Sequence, residues 1–245
     1  MKRCVPIIFI ACLGSCITAP GLNRGAVVAL DAFFRQCEAD IERAKVVIVE
    51  RDLIKTLTHL QHMDGGGEKY YLLERESITE MITSVTEGAY ADFMLINRRG
   101  TIIYTMENEE LFAQNAGSGR GGSLAAAVYG RRDAGVALSG PEAIAGKPDR
   151  RYIAVHSNVS GSGTMPGIFA LLVDCERIRE LAGANTAILD RRGHYIIAEK
   201  EEIINTRHPD FEAFDLDSRG GARTCTIPEY RVFRFRDTLW VLVGQ

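Results

Sequence analysis

The sequence predicts an α+β fold in which a long N-terminal helix packs along two modules, each built on an antiparallel sheet. Two observations support this prediction. The first part of the chain has the apolar spacing of a long helix, and one strand–turn–strand pattern occurs twice. The two copies are residues 92–104 and 185–197, an offset of 93 residues.

The repeated pattern is an apolar run, then Asn or Asp, then Arg-Arg-Gly, then a second apolar run. Residues 97–100 form the turn of the first copy and residues 190–193 that of the second. Asn and Asp tolerate positive φ and Gly adopts it without steric penalty, so each copy predicts a tight hairpin. The offset is too long for a solenoid repeat and suits two small modules. We interpret the pattern as an internal duplication.

The composition is that of an ordinary globular protein, with 245 residues, 46% hydrophobic and 25% charged. It allows one large domain or two small ones. The net charge is −3, so there is no broad basic field and we expect no nucleic-acid partner. Two of the four Arg-Arg pairs lie on the hairpin turns, and we interpret them as solvated charges.

The N-terminus predicts an export signal. A short apolar run, residues 5–13, follows two basic residues; it is too short to span a bilayer and is typical of a signal peptide, here residues 1–15. The sequence Leu13-Gly14-Ser15-Cys16 resembles a bacterial lipobox, which implies lipidation of Cys16. We therefore expect a periplasmic protein held on a bacterial membrane by acylated Cys16, with residues 16–25 as a tether. A plain secreted protein is the alternative.

Three cysteines remain beyond Cys16, namely Cys37, Cys175 and Cys225. Their wide spacing fits no metal site, and they allow at most one disulfide, with its pairing left open. Buried, unreactive thiols are the expected state.

The helical pattern runs from about residue 26 to residue 63, and the glycines that follow residue 64 end it. A second helix is predicted at residues 69–87. His59 and His62 share a helix face, but the third candidate ligand, Asp64, lies in the glycine-rich turn. We therefore predict no metal site.

The first module continues with a hairpin, a helical and glycine-rich segment, three strands and a short helix. We place these at residues 92–106, 107–130, 134–138, 152–159, 167–173 and 174–181. The second module continues with its own hairpin, an acidic helix and three strands. We place these at residues 187–197, 199–204, 222–227, 230–236 and 238–243.

This order resembles a double-Cache domain, the extracytoplasmic relative of the PAS fold. Residues 93–104 look like the family's opening hairpin, and residues 157–174 like its paired central strands. Residues 175–181 and 187–197 resemble the junction between its two modules. The resemblance implies a sensor whose ligand binds in the membrane-distal module, here residues 26–183, above a smaller module at residues 184–245.

The alternation along the strand at residues 152–159 sorts its side chains into two faces. Ile153, Val155 and Val159 should pack on the long helix. The opposite face is more polar, and buried polar groups need partners, so Tyr152, His156 and Asn158 should meet either a ligand or one another. A face exposed at a sheet edge is the alternative. The side chains of the polar face are Tyr152, Ala154, His156 and Asn158.

Three further candidates come from the resemblance. Asp174 matches the acid that holds the ligand's amine in amino-acid-binding members, although it is equally suited to N-cap the next helix. Tyr129 and Arg132 lie where those members carry an Arg-x-Trp pair, which this chain lacks. An Arg there could clamp a carboxylate. We therefore expect a carboxylate-bearing metabolite rather than an amino acid bound in the family's usual mode.

The sequence contains no nucleophile elbow and no complete phosphate loop. We therefore expect no catalytic residues, no enzyme activity and no cofactor. A sensor without a second membrane span would pass its signal or ligand to a membrane receptor or transporter. The alternative is a structural or protein-interaction lipoprotein that keeps the fold and has no working pocket.

Overall fold

The computed structural model describes residues 25–62, 67–118, 120–132, 135–161, 163–217 and 229–244. The five helices in this part of the chain are α1 (Ala26–Glu50), α2 (Leu53–Gln61), α3 (Gly67–Thr83), α4 (Gly122–Gly130) and α5 (Cys175–Ala182). The strands of the first sheet are β1 (Asp92–Asn97), β2 (Ile102–Thr105), β3 (Ala137–Leu138), β4 (Glu142–Ile144), β5 (Lys147–Val159) and β6 (Gly167–Asp174). Those of the second are β7 (Thr186–Leu189), β8 (Tyr195–Ile197), β9 (Tyr230–Phe235) and β10 (Thr238–Gly244). The predicted α+β fold, a long helix beside two antiparallel sheets, is confirmed.

Helix α1 packs against both sheets. Near its start, the Phe34 ring lies 5.5 Å from the rings of Phe235 and Trp240 in the second sheet, centroid to centroid. Nearer its end, Lys45 Nζ donates to Ser157 Oγ of β5 at 3.4 Å. One continuous apolar core therefore joins α1 to both modules.

The long helix is broken near its end, and the prediction of one helix to residue 63 was wrong. Helix α1 stops at Glu50, Asp52 adopts a left-handed conformation with φ +47°, and α2 begins at Leu53. Asp tolerates this conformation better than most residues. The apolar positions resume at once with Leu53 and Ile54, both buried, so their spacing gave no sign of the break.

The first sheet has the strand order β2-β1-β6-β5-β3, with β4 also paired to β5, and its pairings are antiparallel. Its two faces match the predicted alternation. Ile153 and Val155 belong to the core beneath α1, whereas Tyr152 and Ala154 belong to a second core beneath α4. Residues 139–150, where we predicted no strand, contain β4 and the start of β5.

The second sheet has the order β8-β7-β10-β9. In both modules the first strand lies between its own hairpin partner and the last strand of the module. The two turns share their geometry, since φ is +81° at Gly100 and +84° at Gly193. The predicted helix at residues 199–204 is a single 3₁₀ turn, Glu201–Ile203. The strand predicted at residues 222–227 lies outside the described residues.

Cys37 is buried and Cys175 half-buried, and both are free thiols in the described part of the chain. Burial raises the pKa of each thiol to about 12, so neither is reactive at neutral pH. Cys16 and Cys225 lie outside the described residues. Within residues 25–62, 67–118 and the later described ranges, no helix is long and apolar enough to cross a membrane.

Candidate functional site

A cavity of about 350 Å³ opens at the edge of the first sheet where β1 and β5 end and β6 begins. This volume is within the range of small-molecule sites, about 300–1,000 Å³. Polar side chains from three elements meet there: Asn97 and Arg98 from the first turn, Tyr129 and Arg132 from the end of α4, and Asn158 from β5. The apolar part of the wall comes from Val159, Pro166 and Ile168.

The end of α4 is fixed to the first turn through Tyr129. The Tyr129 hydroxyl donates to the main-chain oxygen of Arg98 at 3.1 Å. Its ring lies flat against the turn, since a Cβ at Gly100 would be 3.0 Å from Tyr129 Cζ. The helix ends at Gly130, which leaves Arg132 just beyond it, beside the cavity.

Arg132 and Arg98 give the cavity its charge. The Arg132 guanidinium lies 5.1 Å from the centroid of the Tyr129 ring, a cation–π distance that orients it. Neither Arg132 nor Arg98 forms an ion pair with another described residue. Two guanidinium groups therefore face the cavity without a carboxylate among the described residues to neutralise them.

Asn158 is the member of the β5 polar face that reaches this cavity. It pairs with Ile168 of β6, one step before the end of the ladder, and is half-buried. Its amide can donate and accept hydrogen bonds, and so can the amide of Asn97 across the cavity. Three of the six candidate residues, Tyr129, Arg132 and Asn158, thus line one cavity.

His156 and Tyr152 occupy the same strand face but do not line the cavity. Both are buried, and His156 Nε2 has no hydrogen-bond partner among the described residues. Burial first and the positive charge of Arg131 second lower the pKa of His156 to about 4, while Asp237 opposes them. The imidazole is therefore neutral at neutral pH.

Asp174 lies at the opposite end of the same two strands. It pairs with Tyr152, six residues along β5 from Asn158 or about 20 Å. Its Oδ1 accepts from the main-chain N–H of Glu176 at 2.9 Å, so it N-caps α5. It lines a different cleft of about 190 Å³, together with Arg150, Arg151 and residues of the second module. The structure therefore does not bring Asp174 together with Tyr129, Arg132 and Asn158.

Sequence reasoning missed Asn97, Arg98 and the start of β6 as parts of the cavity. The turn arginines were interpreted as solvated charges. The relevant signal is the strand order: Asn97 and Val159 both pair with Gly167, so the ends of β1 and β5 must meet at one edge. The duplicated pattern predicts where the turn lies in the sequence. Only the position of β6 between β1 and β5 shows that the turn lies beside the end of β5.

No family model matches the chain, and no curated protein matches it. Solved structures with similar folds include the following two. One is an extracellular ligand binding receptor from Desulfohalobium retbaense DSM5692, with a TM-score of 0.61 and 12% identity, covering 89% of this chain and 38% of that chain. The other is the sensor domain of the V. cholerae histidine kinase DctB, with a TM-score of 0.51 and 15% identity, covering 89% of this chain and 95% of that one.

These similarities show the fold. The chain has an α+β, double-Cache-like fold, in which the long helix α1 lies beside two antiparallel sheets. The chain spans just over a third of the receptor structure and nearly the whole of the kinase sensor domain. The order of elements, rather than shared side chains, carries the similarity.

Proposed function

We propose that the chain is an extracytoplasmic, sensory small-molecule-binding protein whose ligand occupies the cavity between α4 and the first turn. One observation carries the proposal: Arg98 and Arg132 face a cavity of ligand size with no neutralising carboxylate among the described residues. The double-Cache fold supports it, because the two similar structures are described as a ligand binding receptor and a sensor domain.

The proposed ligand is a carboxylate-bearing metabolite. A guanidinium group binds a carboxylate through two parallel hydrogen bonds, and in a partly enclosed site these are stronger than in water. Asn97 and Asn158 would orient polar atoms elsewhere on the ligand, and Val159 and Ile168 would cover its apolar body. Tyr152, His156 and Asp174 would act indirectly, through the core beneath α4 and the start of α5.

The same proposal includes anchoring through lipidated Cys16 on the periplasmic side of a bacterial membrane. Helix α1 begins at Ala26, only ten residues after Cys16, and its first turns pack on the second module. The cavity would therefore lie at the membrane-distal end, and the signal would pass to a membrane receptor or transporter.

Thermal unfolding with a library of carboxylates, each paired with its amide analogue, tests the binding site. A ligand present at 100 times its dissociation constant stabilises a protein by about 2.7 kcal/mol, which is a readily measured rise in midpoint. We expect this rise in the wild type and in Arg191→Ala, because Arg191 holds the place of Arg98 in the second turn. Arg98→Ala and Arg132→Ala should lose most of it. A broad library without a shift, or equal loss in Arg191→Ala, would contradict the site.

A structural or interaction role is the second candidate, and one observation favours it. Beneath α4 the strand face that includes Tyr152 packs against Leu124, Ala125 and Val128, so side chains occupy the space next to that face. In that case pull-down from native membranes would recover a partner with no carboxylate added, and Arg132→Ala would recover it equally well.

Lipidation is tested separately, by growing cells with a fatty-acid probe and comparing the wild type with Cys16→Ala. We expect label on the wild type alone. An unlabelled wild type would end the anchoring proposal and leave the binding proposal intact.

A further inference from the structure

A second groove, about 700 Å³, lies on the other side of the first turn, between the turn, α2 and the loop that precedes β6. It shares Asn97, Arg98 and Pro166 with the cavity, but its remaining wall is different. Because α2 follows α1, which starts on the second module, this groove lies at the end of the molecule opposite the start of α1. We call it the basic groove.

Five basic side chains line the basic groove, and all are exposed. They are Lys55 and His59 on α2, His62 directly after it, and Arg98 and Arg99 on the turn. Lys55 has a distant partner, Asp52, at 3.7 Å, while Arg98 and Arg99 form no ion pair within the described residues. Among the described residues, no Asp or Glu lines the groove. Lys55, Arg98 and Arg99 concentrate positive charge here, in contrast with the net charge of −3 for the whole chain, which counts histidines as neutral.

The arrangement of these groups favours an extended anion over a compact one. Lys55, His59 and His62 are spaced four and three residues apart, so they follow one face of α2 for about 10 Å. One carboxylate or phosphate group contacts only one or two such donors. An extended peptide advances about 3.3 Å per residue, so three or four of its residues cover the same length.

An apolar side chain completes the groove. Met165, in the loop before β6, is 38% exposed, one of few large hydrophobic residues in the described chain that are so exposed. Methionine adapts its shape to different apolar partners. The groove therefore offers cations along two walls and one apolar contact.

We propose that the basic groove docks an acidic, extended segment of a partner protein, with carboxylates toward α2 and the turn and an apolar side chain against Met165. Charge complementarity selects this occupant, and the length of the α2 row selects a chain over a small ion. The site is distinct from the ligand cavity, because Arg99 lines only the groove and Arg132 lines only the cavity.

Fluorescence anisotropy with the purified full chain and a labelled octapeptide, Glu-Glu-Leu-Glu-Glu-Leu-Glu-Glu, tests the proposal. The same peptide with Lys in place of Glu is the probe control. We expect binding of the acidic peptide only, weakening as salt rises because exposed charges are screened. Arg99→Glu and Lys55→Glu should each weaken it at least about threefold, the scale of one to two exposed ion pairs.

Two variants keep the result specific. Arg192→Glu makes the same charge change at the equivalent place in the second turn and should leave the affinity within about twofold. Arg132→Ala should also leave it within about twofold, so that failure of this proposal is separable from failure of the ligand cavity. Unfolding midpoints of all four variants exclude loss of fold.

Several results would overturn the proposal. Equal weakening in Arg192→Glu would show attraction to net charge alone, and equal weakening in Arg132→Ala would place the peptide in the cavity. Complete displacement of the peptide by about 1 mM inorganic phosphate would indicate a small-anion site, because a millimolar affinity is far weaker than that of a specific peptide contact. A dimer in sedimentation without peptide, abolished by Arg99→Glu, would make a second copy of the chain the occupant.

Discussion

Asn97 and Asp190 close their two turns with the same pair of hydrogen bonds. In each turn the side-chain Oδ1 accepts from the main-chain N–H groups of the second and fourth residues that follow it. The two distances are both 3.0 Å for Asn97, and 2.8 and 2.9 Å for Asp190. The next contact is also repeated: the main-chain oxygens of Gly100 and Gly193 each accept an N–H from the following loop. The two turns are therefore equivalent at the level of individual hydrogen bonds.

This equivalence predicts which substitutions each turn tolerates. Asp190→Asn should change the free energy of unfolding by no more than about 0.5 kcal/mol, because Asn provides the same acceptor in the first turn. Asn97→Ala should cost about 2 kcal/mol, since Asn97 is buried and two N–H groups lose their acceptor. Urea unfolding measures both. A cost for Asp190→Asn as large as that for Asp190→Ala would show that the charge, and not the acceptor, holds the turn.

The duplicated turn also shows how far the sequence alone could reach. Its two copies, the helical period of α1 and the alternation along β5 depend on local spacing, and all three predictions are confirmed. The break at Asp52 was missed because buried apolar residues resume immediately after it. Strand β4 was missed because its three residues lie within a stretch rich in Gly and Pro.

The candidate site needed information that local spacing does not contain. Tyr129, Arg132 and Asn158 meet because β6 lies between β1 and β5, and strand order is a tertiary property. Asp174 became a candidate through the resemblance to amino-acid-binding domains, yet its Oδ1 bonds to the backbone of α5. Residue type indicated which side chains could bind a ligand, but the strand order of the sheet determines which of them line the same cavity.

Asp40 ties α1 to the segment before β1, and we expect its loss to be costly. The carboxylate is fully buried and accepts hydrogen bonds from side chains and from main-chain N–H groups. The donors are the side chains of Gln36, Arg43 and Tyr90 and the N–H groups of Glu87 and Gly88. Asp40→Ala would leave several of these half-buried donors without their acceptor, so it should lower the free energy of unfolding by about 3 kcal/mol at pH 7.

The pH dependence of this contribution has a definite sign. Burial by itself raises the pKa of Asp40, but the hydrogen bonds, led by that of Tyr90, outweigh it and the pKa is lowered. A lowered carboxyl pKa stabilises the folded state above the unfolded value, near 4, and this contribution is lost as the pH falls below it. The difference in the free energy of unfolding between the wild type and Asp40→Asn, measured by denaturation, should therefore be larger at pH 7 than at pH 3. An equal difference at both values would contradict the assignment.

Alanine substitutions at three glycines with positive φ distinguish the cost of backbone strain from the cost of side-chain crowding. Gly163 has φ +77° and open space around the site of a Cβ, whereas at Gly193, with φ +84°, a Cβ would overlap the ring of Phe211. Gly163→Ala should cost about 1–2 kcal/mol, the strain of the left-handed conformation alone. Gly193→Ala should cost clearly more, because Phe211 must also move. Gly100→Ala, 3.0 Å from Tyr129, should fall between them in urea unfolding. Equal costs at the three positions would show that the rings give way freely.

His156 predicts a loss of stability in mild acid. Its folded pKa is about 4, mainly because the ring is buried and then because Arg131 is near, while an unfolded histidine has a pKa near 6.5. Between these values the unfolded chain takes up a proton that the folded chain refuses, so the free energy of unfolding falls as the pH drops from 6.5 toward 4. From pH 7 to pH 5 the loss should be about 2 kcal/mol, and above pH 7 this residue contributes no pH dependence.

The comparison of wild type with His156→Leu isolates this contribution, because the other histidines remain in both. His208, whose pKa is also lowered by burial, contributes equally to each and cancels. We expect His156→Leu to be as stable as the wild type or more so at pH 7, since Nε2 has no partner among the described residues, and to lose about 2 kcal/mol less between pH 7 and pH 5. A proton NMR titration gives an independent reading, in which the His156 ring should stay neutral down to about pH 4. A midpoint near 6.5 would show that the ring is hydrated in the folded protein and would remove the predicted acid sensitivity.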